Sequence, residues 1–366
     1  MNKQRLGIVA GMLGVIMLLT ACSTNRVVDH IHILTVMGFD KAKQASDGYI
    51  GTALYSDFMR RGGKINKIQG DDKQIRMILD EMNRQATQPV KAAKLRMIVF
   101  SKEIAQEGIG QFISSISKNP LVSHYLFVVV SENSMTEIAD RLIGKESESL
   151  PYHMLEQNMK IGSLPFSNLS TVLFDCYGEG RDISVPYVRL NANGMLEASG
   201  YGIFHDEQLK SVLNKEEMMT YKLLQGYVMR GDTPIHVQIG DKHGIIVFTI
   251  ENGHVDKVYS RQGSDVKLLF KLKLNAMMLE YPEWMSMNTD FIYKQLEKQT
   301  ENRLQQRAKE LLQQFQQEGT DPLGIGDYVR AHERNWEEKA FYESIYGKMK
   351  VEVDVKVKIN KSGVGE

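Results

Sequence analysis

The sequence predicts a multidomain α+β protein: an N-terminal α/β region with a mixed sheet, then an antiparallel sheet packed by a long helix. Three observations carry this expectation. Between residues 72 and 142 helical and strand periodicities alternate, which places helices over a sheet. From Gly194 to Leu279 the chain reads instead as a run of strands. A long helix follows, from about Asn288 to Gln317, and the chain closes on a strictly alternating strand.

The first 21 residues have the form of an export signal. Met1 to Arg5 is short and basic, and the 14 residues Leu6 to Leu19 are apolar and uncharged. A membrane-spanning helix needs about 20 apolar residues, so this run fits a signal core better. Leu19-Thr20-Ala21-Cys22 matches a bacterial lipobox. Cys22 is therefore the expected lipid-attachment residue, with a diacylglyceryl group on its thiol and cleavage just before it. One acyl chain alone holds a protein marginally, whereas two give a stable anchor. Residues 22–29 are polar and read as a lipidated tether. The N-terminal α/β region then spans 30–197, with room for two subdomains, and the C-terminal domain spans 198–366.

Strands are expected over His30 to Asp40 and Gly48 to Phe58, as a hairpin, with a loop at Gly62-Gly63. Ile75, Ile78, Leu79 and Met82 define a helix over Asp72 to Ala86, stopped by Pro89. Lys94 to Phe100 is a buried strand, and Ser101 caps a helix running from Lys102 to about Ser117. Leu126 to Val130 is another buried strand, and Ser134 with Glu137 forms a capping-box pattern for a helix ending at Leu142. Residues 144–194 are less regular, with a helix at Tyr152 to Lys160 and breaks at Pro151, Pro165 and Pro186. Strands at 194–204 and 208–213 flank a turn at His205-Asp206, and Asn214 caps a helix from Lys215 to about Tyr227. Ile235 to Ile239, Gly244 to Ile250, His254 to Ser260 and Val266 to Leu279 continue as an antiparallel meander, with Asn252-Gly253 as a hairpin turn. Ile292, Leu296, Leu304, Leu311, Leu312 and Phe315 stripe the long helix, which Gly319 ends. Val351, Val353, Val355, Val357 and Ile359 share one face of the last strand.

Removing the signal takes away Lys3 and Arg5, so 43 basic residues face 45 acidic ones, a net charge of −2. A near-neutral chain without a long basic block argues against nucleic acid as a partner. With Cys22 lipidated only Cys176 remains, so no internal disulfide can form and apolar cores must hold the domains. The 20 methionines are read as core filler. Enzyme signatures are missing. There is no Gly-x-Ser-x-Gly elbow and no phosphate-binding glycine loop; His332-Glu333 lacks the second histidine of a zinc-protease helix. His30 and His32 share a strand face without a third ligand, and Asp71-Asp72 and Glu216-Glu217 are read as helix-start acids. No catalytic, cofactor-binding or metal-ligating residues are expected.

Several segments together resemble the Ger(x)C family, the lipoprotein C subunits of bacterial spore germinant receptors. They are the lipobox at Cys22; the strand Ile33-Leu34-Thr35-Val36-Met37-Gly38-Phe39-Asp40; the stretch from Gly200 through Phe204 and Leu209 to Glu217; and Asp321-Pro322-Leu323-Gly324-Ile325-Gly326 with Trp336 downstream. The Trp-Asp pair that the family often carries after the cysteine is replaced by Ser23-Thr24-Asn25. The resemblance implies a non-catalytic subunit of mixed α/β domains. It implies assembly with two integral membrane subunits, one transporter-like, at the spore inner membrane, where small nutrients trigger germination. The alternative is an extracytoplasmic substrate-binding lipoprotein that feeds a membrane transporter.

Overall fold

The computed structural model describes residues 31–42, 48–56, 63–226, 231–263, 265–287 and 289–360. Cys22 and the export signal lie outside the described residues. The chain opens with an antiparallel meander, β1 (His32–Lys41), β2 (Tyr49–Ser56) and β3 (Ile65–Asp72). Helix α1 (Ile75–Gln85) then crosses back, so that β4 (Val90–Lys91) and β5 (Met97–Ser101) lie parallel to β1 on its other side. Helices α2 (Lys102–Glu107) and α3 (Gly110–Ser117) lead to β6 (Phe127–Ser131), parallel to β5. Helices α4 (Met135–Leu142), α5 (Pro151–Lys160) and α6 (Leu169–Tyr177) lead to β7 (Ser184–Leu190), parallel to β6. Strands β8 (Leu196–His205) and β9 (Gln208–Leu213) complete a nine-stranded sheet as antiparallel neighbours.

The central strands are unbroken apolar runs because both faces of this sheet are covered. Met97, Val99, Phe127 and Val129 point to the side of α4 and α5; Ile98, Phe100, Val128 and Val130 point to α1, α2, α3 and α6. The first side is shared with the C-terminal elements. Helix α7 (Lys215–Gln225) leads into a four-stranded sheet of β10 (Asp232–Ile239), β11 (Lys242–Gln262), β12 (Asp265–Glu280) and β13 (Lys350–Asn360). Between β12 and β13 come α8 (Asp290–Glu318), α9 (Ile325–Arg330) and α10 (Glu338–Ser344). One continuous cluster of buried side chains joins Val36 and Tyr201 of the large sheet to Phe270, Leu312 and Val355 of the small one.

The mixed sheet, the second sheet and the long helix match the expected class. Several elements differ. Residues 65–72 form an edge strand, where alternating polar side chains hid the pattern, so Asp71 and Asp72 end β3 instead of starting a helix. The helix expected over Lys102 to Ser117 breaks at Gly108, whose φ of 129° only glycine adopts readily. The irregular stretch contains α6, held by a reciprocal Asn168–Thr171 capping box, and β7, disguised by Pro186. The strands at 196–213 extend the large sheet to Leu213 instead of opening the meander. Asn252-Gly253 makes no hairpin: β11 runs through it with a register shift, and Asn252 Oδ1 accepts from Asn275 Nδ2 across the ladder at 2.6 Å. Strand β13 pairs parallel with β12, because α8 carries the chain back to the starting end of the sheet.

Candidate functional site

In an open sheet with parallel strands, ligands favour the carboxyl ends where the chain changes direction. Here that point lies between β1, whose chain turns to β2, and β5, whose chain continues to β6. A polar cleft of about 840 Å³ opens there, lined by Asp40, Lys41, Gln69, Ser101, Lys102, Glu132 and Thr136 among others. Its floor is built from the Gly38-Phe39-Asp40 segment. A Cβ on Gly38 would sit 2.3 Å from Met135 Cγ, so the missing side chain lets α4 come close to the end of β1. Asp40 then caps that helix: Oδ1 accepts from Met135 N at 2.8 Å and Oδ2 from Thr136 N at 3.1 Å. Burial raises the Asp40 carboxyl, opposed by these two backbone bonds. The helix N-terminus, a place where phosphates commonly bind, is thus filled by the protein's own carboxylate. At the rim, Glu132 accepts from Tyr187 and, at 3.0 Å, from Lys102; chiefly the Tyr187 bond holds Glu132 below the usual carboxylate range. Lys41 pairs with Glu107.

A second polar cluster joins the two sheets. The residues after α8 pass beneath the start of β7, and four successive carbonyls are claimed by separate donors. Thr320 O accepts from Tyr346 OH at 2.6 Å, Asp321 O from Asp182 N at 3.0 Å, Pro322 O from Tyr221 OH at 3.0 Å and Leu323 O from Lys257 Nζ at 3.1 Å. The Asp321 carboxylate is fully buried and accepts from Ile325 N at 2.8 Å, Gly326 N at 2.7 Å and Tyr342 OH at 3.0 Å. Burial pushes it up to about 6, against those three donors. Asp182 reciprocates: Oδ2 accepts from Asp321 N at 2.7 Å and Oδ1 from Asp206 N at 2.9 Å. Gly180 has a φ of 78°, donates to Glu338 Oε1 at 2.6 Å and accepts from Asp327 N at 2.9 Å. Asp182, His205 and Asp206 come together in a set that could in principle hold a metal ion. Both oxygens of Asp182 are nonetheless already committed to backbone amides, and His205 Nδ1 lies 3.6 Å from Oδ2.

The Asp321-to-Gly326 motif singled out in the sequence is therefore the link between the sheets. Its partners Asp182 and Gly180 carried no recognisable pattern, because their role depends on contacts more than 130 residues away, the 139 separating Asp182 from Asp321 among them. Of the histidine pair, His30 lies outside the described residues and His32 packs on the Tyr55 ring at 4.4 Å. Glu333 binds Arg261 and Tyr259. Cys176 is half-buried on α6, and burial pushes its thiol up. Glu216 and Glu217 do start α7, where Asn214 and Glu217 form a capping box. Among the described residues no helix is long and apolar enough to cross a membrane.

A covered mixed sheet, tied through a buried aspartate motif to a smaller sheet wrapped on a long helix, defines a two-sheet α+β subunit architecture. Residues 25–190 match the family model described as spore germination protein N-terminal domain, and residues 199–363 match spore germination B3/GerAC like, C-terminal. The chain belongs to the Ger(x)C family of spore germination proteins, a family of germinant-receptor subunits and not a known enzyme family. It is similar to the spore germination protein GerQC of Bacillus cereus, 25% identical over 353 residues that cover 95% of this chain and 96% of that protein. The crystal structure of the GerBC protein has the same fold, with a TM-score of 0.59 at 15% identity, covering 88% of this chain and 97% of that one.

Proposed function

We propose that this protein is a non-catalytic, lipid-anchored subunit of a spore germinant receptor, held at the spore inner membrane through a diacylglyceryl group on Cys22. Its work is protein–protein contact: it supports assembly of, or signalling through, two integral membrane subunits, one of them transporter-like, in nutrient-triggered germination. The observation that carries this reading is the pair of family matches, in order, over 25–190 and 199–363, so both halves of the subunit are present in one chain. The geometry is consistent with it. The buried carboxylates Asp40, Asp182 and Asp321 accept from backbone amides, so they tie distant segments of the fold together. The two sheets are unlike, nine-stranded and four-stranded, whereas a two-lobed binding protein is built from similar lobes. We take 30–197 and 198–366 as the two units, the second lending β8 and β9 to the sheet of the first.

The test is Cys22→Ala in a strain lacking paralogous receptors. The variant is expected to leave the membrane fraction and to impair nutrient germination. Unchanged membrane partition would refute the anchor, and normal germination after deletion of the gene would refute the receptor role.

A further inference from the structure

Five large apolar side chains stand exposed around one edge of the nine-stranded sheet: Leu121 (57%), Tyr125 (78%), Phe166 (55%), Phe174 (61%) and Tyr177 (65%). Topology places them together. Val36, Met97 and Phe127 are level in the parallel ladder, so β1, β5 and β6 begin at the same edge. Leu121 and Tyr125 lie on the loop that enters β6. Leu169 N donates to Leu126 O at 2.8 Å and Ser170 N to His124 O at 3.1 Å, which seats the start of α6, just after Phe166, on that loop. The far end of α6 hands the chain to the start of β7, parallel to β6 at the same edge. The helix buries Leu169 and Val172 and leaves Phe174 and Tyr177 outward. Lys91 at the end of β4, Lys94 on the turn to β5 and Lys118 are exposed and add positive charge here, with Arg96 beside them. Glu156 and Glu179 lie here too and are ion-paired, with Arg96 and Arg330.

This is also the edge from which the tether leaves. Strand β1 starts at His32, two strands from β6, or about 10 Å. Cys22 precedes Ile31 by nine residues, a reach of at most about 30 Å. An acyl anchor at Cys22 therefore confines this edge to the neighbourhood of the bilayer. Tyrosine favours the interfacial layer, phenylalanine and leucine the apolar face set into it, and lysine and arginine favour anionic headgroups. A monomer rarely exposes such a patch to water without use for it.

We infer that this edge is a membrane-facing surface: Leu121, Tyr125, Phe166, Phe174 and Tyr177 rest in the interfacial layer of an anionic bilayer, with the basic rim on its headgroups. The inference rests on Cys22 as the anchor, and the test separates the two claims. The full lipidated chain is placed on phosphatidylcholine–phosphatidylglycerol vesicles with brominated acyl chains, which quench nearby tryptophan. The native Trp284 and Trp336 give a constant background. The emission added by Tyr125→Trp is expected to fall by roughly half, as for a ring at interfacial depth. Emission added by Ile245→Trp, an exposed position on β11, should not change. With Leu121→Trp as probe, adding Phe174→Ser and Tyr177→Ser should reduce the quenching while vesicle flotation persists.

A chain that fails to float loses the anchor and this proposal with it. A chain that floats, with position 125 no more quenched than position 245, keeps the anchor and overturns the surface. Protection of position 125 seen only in membranes that hold the other receptor subunits, and not on lipid alone, assigns the patch to a protein partner and likewise overturns it.

Discussion

Gly38 and Asp40 act as a pair. The glycine clears space for Met135 and the aspartate caps the helix that Met135 begins. Gly38→Ala should push α4 off the sheet and cost about 1–3 kcal/mol, the usual scale for overpacking; an unchanged urea midpoint would show that Met135 can swing away. Asp321 offers a test with a sign. Its carboxyl is raised from 3.8 to about 6 by burial, so the native state holds the proton more tightly than the unfolded chain. The stability it contributes is therefore fullest below about pH 4 and declines as pH rises towards 6. Asp321→Asn turns an amide NH₂ towards donors and should destabilise at every pH. The loss relative to the parent should be larger at pH 4 than at pH 7, by at most about 3 kcal/mol. Urea midpoints at the two pH values decide it. A larger loss at pH 7 would mean that Ile325, Gly326 and Tyr342 hold the carboxylate ionised against burial.

Helix α8 does more than bury a stripe. Leu296, Leu304, Leu311, Leu312 and Phe315 are buried as the periodicity requires, with Leu304 against the small sheet and Phe315 against Tyr221 of α7. Its polar residues hold both free edges of that sheet. Gln299 exchanges two bonds with the Gln238 backbone on β10, at 2.8 and 2.7 Å. Glu301 accepts from Val357 N at 3.2 Å and Glu297 from Ile359 N at 3.0 Å on β13. The sheet thus curls around the helix, and edges that could recruit another strand are covered. Glu297→Ala with Glu301→Ala should speed amide hydrogen exchange at Val357 and Ile359 by about tenfold, corresponding to roughly 1–2 kcal/mol of lost protection; unchanged exchange would mean that packing alone guards the edge. Leu304→Ala should cost about 2–5 kcal/mol, read by chemical denaturation.

The two sheets share one apolar cluster and one polar clasp, so the molecule should unfold as a unit. Trp284 and Trp336 report the C-terminal part, and far-ultraviolet circular dichroism reports both. Their denaturation curves should coincide. Gly180→Ala should separate them, because a Cβ there would meet Asp327 N at 2.3 Å and the residue has a φ of 78°. Coincident curves for that variant would show that the apolar cluster couples the sheets without the clasp.

Local chemistry was legible from residues alone. Ser101, Ser134 and Asn214 cap helices because each is a short acceptor directly before an apolar period. The buried runs of β5 and β6, the stripe of α8 and the alternation of β13 state which face must leave water. Leu19 to Cys22 is a local pattern of the same kind, and its lipidation is part of the function proposed above. Tertiary structure alone decided what depends on partners distant in the chain. Asn252-Gly253 carries a turn pattern, yet Leu274 and Asn275 opposite keep it in a ladder. Residues 65–72 become a strand because β2 offers an edge. Asp321 opens a segment that the sequence singles out only by resemblance; the fold buries its charge, presents three donors to it and so joins two sheets through one side chain. Propensity and periodicity act within a few residues. Strand neighbours, burial and the pairing of buried charges are settled only when distant segments meet.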